Sequence, residues 1–261
     1  GLIYKDKRLV NWDPKMLTAI SDLEVEPREV KGSLWYLRYP IEGGAPDEFI
    51  VVATSRPETM LGDTGIAVHP DDPKWRALVG RRAILPVAGR SIPIVADEHS
   101  DPEKGSGAVK ITPAHDFNDF EVGRRHKLPA VNVMDRFARM ALRDNNEFLA
   151  GLPADAAAGV VEKYHGLDRF EARKEIVAEL EALGLLEKIE PHTHTVPYGD
   201  RGGVPIEPFL TEQWYVNAAE MAKAPIKAAR DGSVKFVPER GRDEFFRWME
   251  NIQPWCVSRQ L

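Results

Sequence analysis

Three short segments carry side chains whose types and spacing could do chemistry. The first, Thr54-Ser55-Arg56-Pro57-Glu58-Thr59, directly follows the apolar run FIVVA. A strand that ends in clustered hydroxyls and an arginine sets several donors at the mouth of a sheet; an ordinary Thr/Ser/Pro turn uses the same residue types. The second, Gly105-Ser106-Gly107-Ala108-Val109-Lys110-Ile111-Thr112, opens on two glycines. The period of two in a strand puts Lys110 and Thr112 on one face and Val109 and Ile111 on the opposite, core-facing side. Such a Lys/Thr face either works or is simply solvated. The third, Pro113-Ala114-His115-Asp116-Phe117-Asn118-Asp119, reads as a strand giving way to a helix that runs to about His126. Asp116 stands at the N-cap, and capping alone accounts for it. Asp119 falls three residues on, in the first turn and on nearly the same face. It caps nothing that Asp116 has not satisfied. Paired carboxylates bind a metal, serve as acid and base, or hold an ammonium group, and the residue types alone do not choose.

The elements that position these segments are short strands. From Gly32 to about Val133 the runs SLWYLRYPI, FIVVATS, GIAVHP, RAILPV, SIPIVAD, GAVKITP and AVNVM are divided by loops such as EGGAPDE and AGR. That spacing suggests a barrel or closed sheet. One early helix is expected, with Asp72 as N-cap, Pro73 at the first helical position and Gly80 as the stop. Farther on, Asp168 with Glu171 resembles a capping box, and Ile176, Leu180 and Leu183 continue a helix to Gly184. The two ends hold isolated strands, RLVNW, VPIEPFL, QWYV and VKFVPER, able to pair as a stalk. The expected fold is α+β and β-rich: a barrel core with helices over 32–196, flanked by linker segments 1–31 and 197–261.

Composition narrows the classes. The 261 residues are 43% apolar, enough for one large core or two small ones. No run of 18 apolar residues exists to span a membrane, and the opening GLIYKDKRLV has charges where a signal peptide is apolar. Cys256 is the only cysteine, which excludes internal disulfides and Cys-cluster zinc, and fits a cytoplasmic location. A net charge of −6 argues against a dominant nucleic-acid platform, although Arg124-Arg125-His126-Lys127 and Arg136, Arg139 and Arg143 form local basic clusters or solvated faces. His192-Thr193-His194 lacks a third metal ligand at a recognisable spacing. There is no G-x-S-x-G elbow, P-loop or dinucleotide fingerprint. WCVSRQL carries no stop signal, so the chain is expected to be a piece of something longer.

In order along the chain, GLIYKDKRLVNWDP, TSRPETMLGDT, GSGAVKITPAHDFNDFEVGRRH, VNVMD, LDRFEARKEIV, EQWYV, FVPER and ENIQPWCVSRQL together resemble the editing insertion of class I aminoacyl-tRNA synthetases. KITPAHDFND and WCVSRQL look like the valine type rather than the isoleucine or leucine type. The ATP-site signatures HIGH and KMSKS are absent from these residues, so the resemblance implies hydrolysis without amino-acid activation. Two departures stand out: Lys104 occupies a position where many relatives have an aromatic residue, and PYGDRGG lacks a cysteine that some relatives carry nearby.

That resemblance implies a reaction and a set of roles. Valine and threonine are near-isosteres, and in the valine enzymes an apolar pocket discriminates against threonine by only about 10²-fold. A second site that bonds the hydroxyl supplies the rest. Its expected substrate is the ester of threonine with the 3′ end of the valine tRNA, its expected partner the remainder of the synthetase, and no cofactor or metal is expected. By resemblance, Asp119 pairs with the α-ammonium, Asp116 meets the threonine hydroxyl, and Lys110 stabilises negative charge at the ester or ribose. Thr54, Ser55, Arg56, Thr59, Thr112 and His115 complete the pocket. Two other readings stand beside it, a non-catalytic module that binds the tRNA 3′ end and an editing domain of isoleucine or leucine type.

Overall fold

The computed structural model describes residues 1–260. The strands are β1 (Ile3–Asp13), β2 (Thr18–Ile20), β3 (Val25–Pro40), β4 (Phe49–Thr54), β5 (Gly65–Val68), β6 (Arg82–Ile84), β7 (Ser91–Ala96), β8 (Ala108–Ile111), β9 (Leu186–Gly199), β10 (Glu207–Val216) and β11 (Trp255–Cys256). The helices are α1 (Phe117–His126), α2 (Asn146–Leu149), α3 (Ala154–Tyr164), α4 (Arg169–Ala182), α5 (Ala218–Arg230) and α6 (Gly241–Glu250). The chain divides into two compact units, Leu9–Leu210 and a smaller one made of Gly1–Arg8 with the residues from Thr211 onward.

In the larger unit, β3 is the central strand of the order β4-β3-β9. Its antiparallel ladder with β9 runs from Val25↔Gly199 to Leu37↔Leu186, with an irregularity between Tyr36 and Leu37. A second sheet has the order β6-β7-β5-β8, in which only the β5/β7 pair is parallel. Alternation explains the inward faces: Ile92 and Ile94 of β7 are buried at every second position. They join Leu37, Tyr39, Ile50, Val52, Met60, Leu61 and Ile66 in one apolar core. Each such side chain contributes roughly 1.5–3 kcal/mol of burial. In the smaller unit Tyr4 stacks on Tyr215 with centroids 5.9 Å apart, and α5 carries an internal Pro225. Among the described residues no helix is long and apolar enough to cross a membrane.

The β-rich α+β class holds, but the barrel does not close. Strands β4 and β8 approach each other without a hydrogen-bonded ladder, so two sheets remain. Closure requires every edge strand to find a partner, and β6 and β8, of three and four residues, are too short to carry pairing round a full turn. The helix expected after Asp72 is also corrected. Only a 3-10 turn, Arg76–Leu78, forms there: Pro73 to Val79 offers only seven residues, and an α-helix that short forms only where packing holds it. AVNVM makes a single bridge, Met134↔Met140, and VKFVPER forms no strand. Only EPFL of VPIEPFL joins QWYV in one strand, β10, which lies beside β1 in the order β11-β10-β1-β2.

Candidate active site

The three chemistry-bearing segments converge. The strand β4 delivers Thr54, whose Oγ1 accepts from the Arg56 amide at 3.0 Å, and the 3-10 segment Pro57–Gly62 follows at once. This segment must pass close to its neighbours. A Cβ on Gly62 would stand 2.8 Å from the Val131 carbonyl and 3.2 Å from Thr112 Cγ2, so only glycine fits there. Antiparallel pairing of β5 with β8 sets Gly65 opposite Ile111, which fixes Lys110 and Thr112 next to the end of that segment.

Lys110 is 6% exposed. Its Nζ donates to Thr59 Oγ1 at 2.8 Å, Asp63 Oδ1 at 3.0 Å and Thr112 Oγ1 at 2.5 Å. Asp63 is fully buried and accepts in addition from Thr112 Oγ1 at 2.5 Å and from Tyr39 OH at 2.7 Å. Lys110 and Thr112 thus share a face as the strand period requires, and that face is internal, not solvated. Ile111 packs on the other side with Ala67 and Val122.

Asp116 is the N-cap of α1, its Oδ1 accepting from the amides of Asn118 at 2.8 Å and Asp119 at 3.1 Å. Asp119 has a structural partner that its position in the helix does not reveal: its Oδ2 accepts from the Thr112 amide at 2.9 Å, which ties α1 to β8. Burial, followed by the charge of Asp116, pushes the Asp119 carboxyl up to about 7. His115 is buried, and burial together with the charges of Arg56 and Lys110 takes its imidazole down to about 3. It is therefore neutral at physiological pH. Its Nε2 faces the Val133 amide at 3.0 Å and accepts that hydrogen, which places the imidazole proton on Nδ1, a buried atom without a partner.

Arg56 belongs to a second cluster. Its Nε donates to Glu58 at 3.0 Å, Nη2 to Glu207 at 2.5 Å and Nη1 to the His115 carbonyl at 3.1 Å. Arg173 of α4 grips Glu58 with two bonds of 2.8 and 2.9 Å, and Arg169 bonds Glu207. Burial would lower the Arg56 guanidinium, but Glu207 and Glu58 outweigh it and raise it.

Of the nine residues singled out from the sequence, Ser55, Arg56 and Asp116 line a cleft of about 950 Å³, together with Phe117, Phe170 and the segment of β9 from His194 to Tyr198. Thr54, Thr59, Lys110, Thr112, His115 and Asp119 are buried and do not line it. Asp63, Glu58, Glu207, Arg169 and Arg173 complete the two clusters; Glu58 stands in the first segment read from the sequence but was given no role, and the other four were not singled out. Asp63 sits inside the quoted run TSRPETMLGDT, yet nothing local marks it, since its partners are Tyr39, Lys110 and Thr112. Imidazoles of His192 and His194 stack, with centroids 5.4 Å apart; among the described residues no group of three or more His, Cys, Asp or Glu is arranged to hold a metal. Of the basic clusters, Arg125 and His126 both bind Asp97.

Comparison with known proteins places these features in a family. A model of the class I tRNA synthetases (I, L, M and V) matches residues 1–261. The valine–tRNA ligase of Mesorhizobium japonicum is 66% identical over 100% of this chain and 29% of its own length. Those of Nitrobacter winogradskyi and Brucella suis are 63% and 62% identical, again over 100% of this chain and 28% and 29% of theirs. The chain spans under a third of the length of these curated relatives. Matched from end to end, it belongs to the class I tRNA synthetases of the I, L, M and V group.

Proposed function

We propose that this chain is the editing part of a valine–tRNA ligase and hydrolyses the ester that joins threonine to the 3′ end of the valine tRNA. The observation that carries the reading is the convergence of three separate segments: Lys110 bonds Thr59 and Thr112, the Thr112 amide bonds Asp119, and Asp119, beside Asp116, is a buried carboxylate raised to about 7. A carboxylate in that state gains most from a cation brought by the substrate, and the α-ammonium is such a cation.

The ester is activated already, so positioned water and stabilised developing charge are sufficient and no covalent nucleophile is required. Asp119 anchors the ammonium. Asp116 uses Oδ1 for its cap, and its second oxygen is the acceptor for the threonine hydroxyl at the edge of the cleft. Lys110 stabilises negative charge on the ester or ribose oxygens as an electrostatic element, with Asp63 as its counter-ion. Ser55 and Arg56 line the cleft, while Thr54, Thr59, Thr112 and His115 are buried and support it from outside its lining. The cleft receives the single-stranded 3′ end, while the flanks 1–31 and 197–261 lead to the remainder of the synthetase. The acidic net charge fits this division, because other domains hold most of the tRNA.

Incubation with threonylated valine tRNA tests the proposal. Release of threonine, with valylated tRNA left largely intact, supports it. An intact ester turns the reading toward a binding module, and preference for isoleucine or leucine tRNA toward the related editing types.

A further inference from the structure

Beside Asp119 stands a residue that the reaction above does not use. His99 lies in the loop between β7 and β8, and its Nε2 is 3.7 Å from Asp119 Oδ1. That separation is too long for a hydrogen bond. The pair is nevertheless held in place from both sides. Asp119 Oδ2 is fixed by the Thr112 amide at 2.9 Å, and the His99 amide donates to Asp97 Oδ1 at 2.9 Å. Asp97 in turn accepts from Arg125 at 2.8 and 3.1 Å and lies 2.8 Å from His126 Nε2, both at the end of α1. Asp119 thus rides on the first turn of α1, and His99 is moored through Asp97 to the last turn of the same helix.

A gap of 3.7 Å between two acceptors is one that a single nitrogen, about 2.9 Å from each, spans with two ordinary hydrogen bonds. The His99 side chain is 28% exposed and that of Asp119 9%, so the gap is reached from solvent on the imidazole side. We propose that His99 Nε2 is the second acceptor for the substrate's α-ammonium, which donates one N–H to Asp119 Oδ1 and another to His99. This rests on the reading that Asp119 holds the ammonium. It requires the neutral imidazole with its proton on Nδ1. A doubly protonated ring has no lone pair to offer the ammonium. The other charged groups around Asp119 are Asp116 on its own helix, Lys110 from β8 and Asp63; around His99 they are Asp97 and Asp119.

The test measures kcat and KM for hydrolysis of threonylated valine tRNA across neutral and mildly acidic pH, for the whole chain and for His99→Leu and His99→Gln. Loss of a hydrogen bond to a charged group amounts to about 10–150-fold, so His99→Leu is expected to raise KM at least about tenfold with kcat little changed. Glutamine offers an acceptor that does not titrate. His99→Gln should therefore recover most of the KM. A wild-type KM in His99→Leu, or no recovery in His99→Gln, overturns the role of His99 while leaving Asp119 untouched. If the unaltered chain hydrolyses nothing, the proposed function fails, and this inference with it.

Discussion

Glu58, within the 3-10 segment, and Asp119, in the first turn of α1, are both buried carboxylates, and they have opposite electrostatic fates. Glu58 is 1% exposed and takes three hydrogen bonds from Arg56 and Arg173. Burial works to raise it, yet the two guanidinium groups hold it down to about 2. Asp119 is 7% exposed and takes one backbone hydrogen, with His99 at 3.7 Å. Burial wins there, and the carboxyl rises to about 7. The contrast separates scaffold from site. A carboxylate whose lone pairs are filled by arginines braces α4 against the 3-10 segment; on the proposed function, one left short of a cation takes the cation of the substrate.

The largest effect expected from this contrast is on stability. Glu58→Ala leaves two arginines without their shared partner, and breaking such a buried pair costs about 3–5 kcal/mol. Chemical denaturation measures it, and a loss below about 1 kcal/mol would mean that the arginine cluster is not the brace described.

Asp119→Asn should do the reverse. The amide keeps an acceptor for the Thr112 hydrogen, so stability near pH 8 is held or raised, while hydrolysis of threonylated tRNA loses about 2–5 kcal/mol of transition-state stabilisation. The pH dependence has a definite sign. The folded value of Asp119, about 7, lies above its ordinary 3.8, so the folded state binds the extra proton and stability from this group declines as pH rises from about 4 to 7. Glu58 is opposite: its folded value, about 2, lies below the ordinary 4.5, and its contribution, complete above about 4.5, is lost as pH falls toward 2. Stability curves of the unaltered chain and of Asp119→Asn should therefore diverge between pH 4 and 7. Parallel curves in that window would remove the distinction between the two carboxylates.

The smallest of the three effects sharpens the role of Asp116. If its second oxygen takes the threonine hydroxyl, Asp116→Ala lowers the ratio of threonine to valine release by about 10–150-fold. Its loss as a cap costs about 1 kcal/mol of stability in either case. An unchanged ratio with a lowered melting temperature would return Asp116 to the scaffold.

Helix α1 was legible because its signals are local. Asp116 at the N-cap and the run to His126 are neighbours in sequence, and α1 spans Phe117–His126. Helix α4 begins after Asp168 and ends before Gly184 for the same reason. Period-two alternation correctly set Lys110 beside Thr112. The helix expected after Asp72 was not formed, because good caps do not replace length. Closure of a barrel could not be judged from strand spacing, since it depends on how far each ladder extends.

What the sequence determined alone was thus the β-rich class, the capped helices, the family resemblance and the residue types of the candidate site. The tertiary structure decided which of those residues face a cleft and which are buried, and it brought in Asp63, Glu58, Glu207 and His99. Each of these acts through partners from other segments: Tyr39 and Lys110 for Asp63, Arg173 for Glu58, Arg56 and Arg169 for Glu207, Asp119 for His99. A charge declares its chemistry only through what surrounds it, and long-range packing, not local spacing, assembles those surroundings.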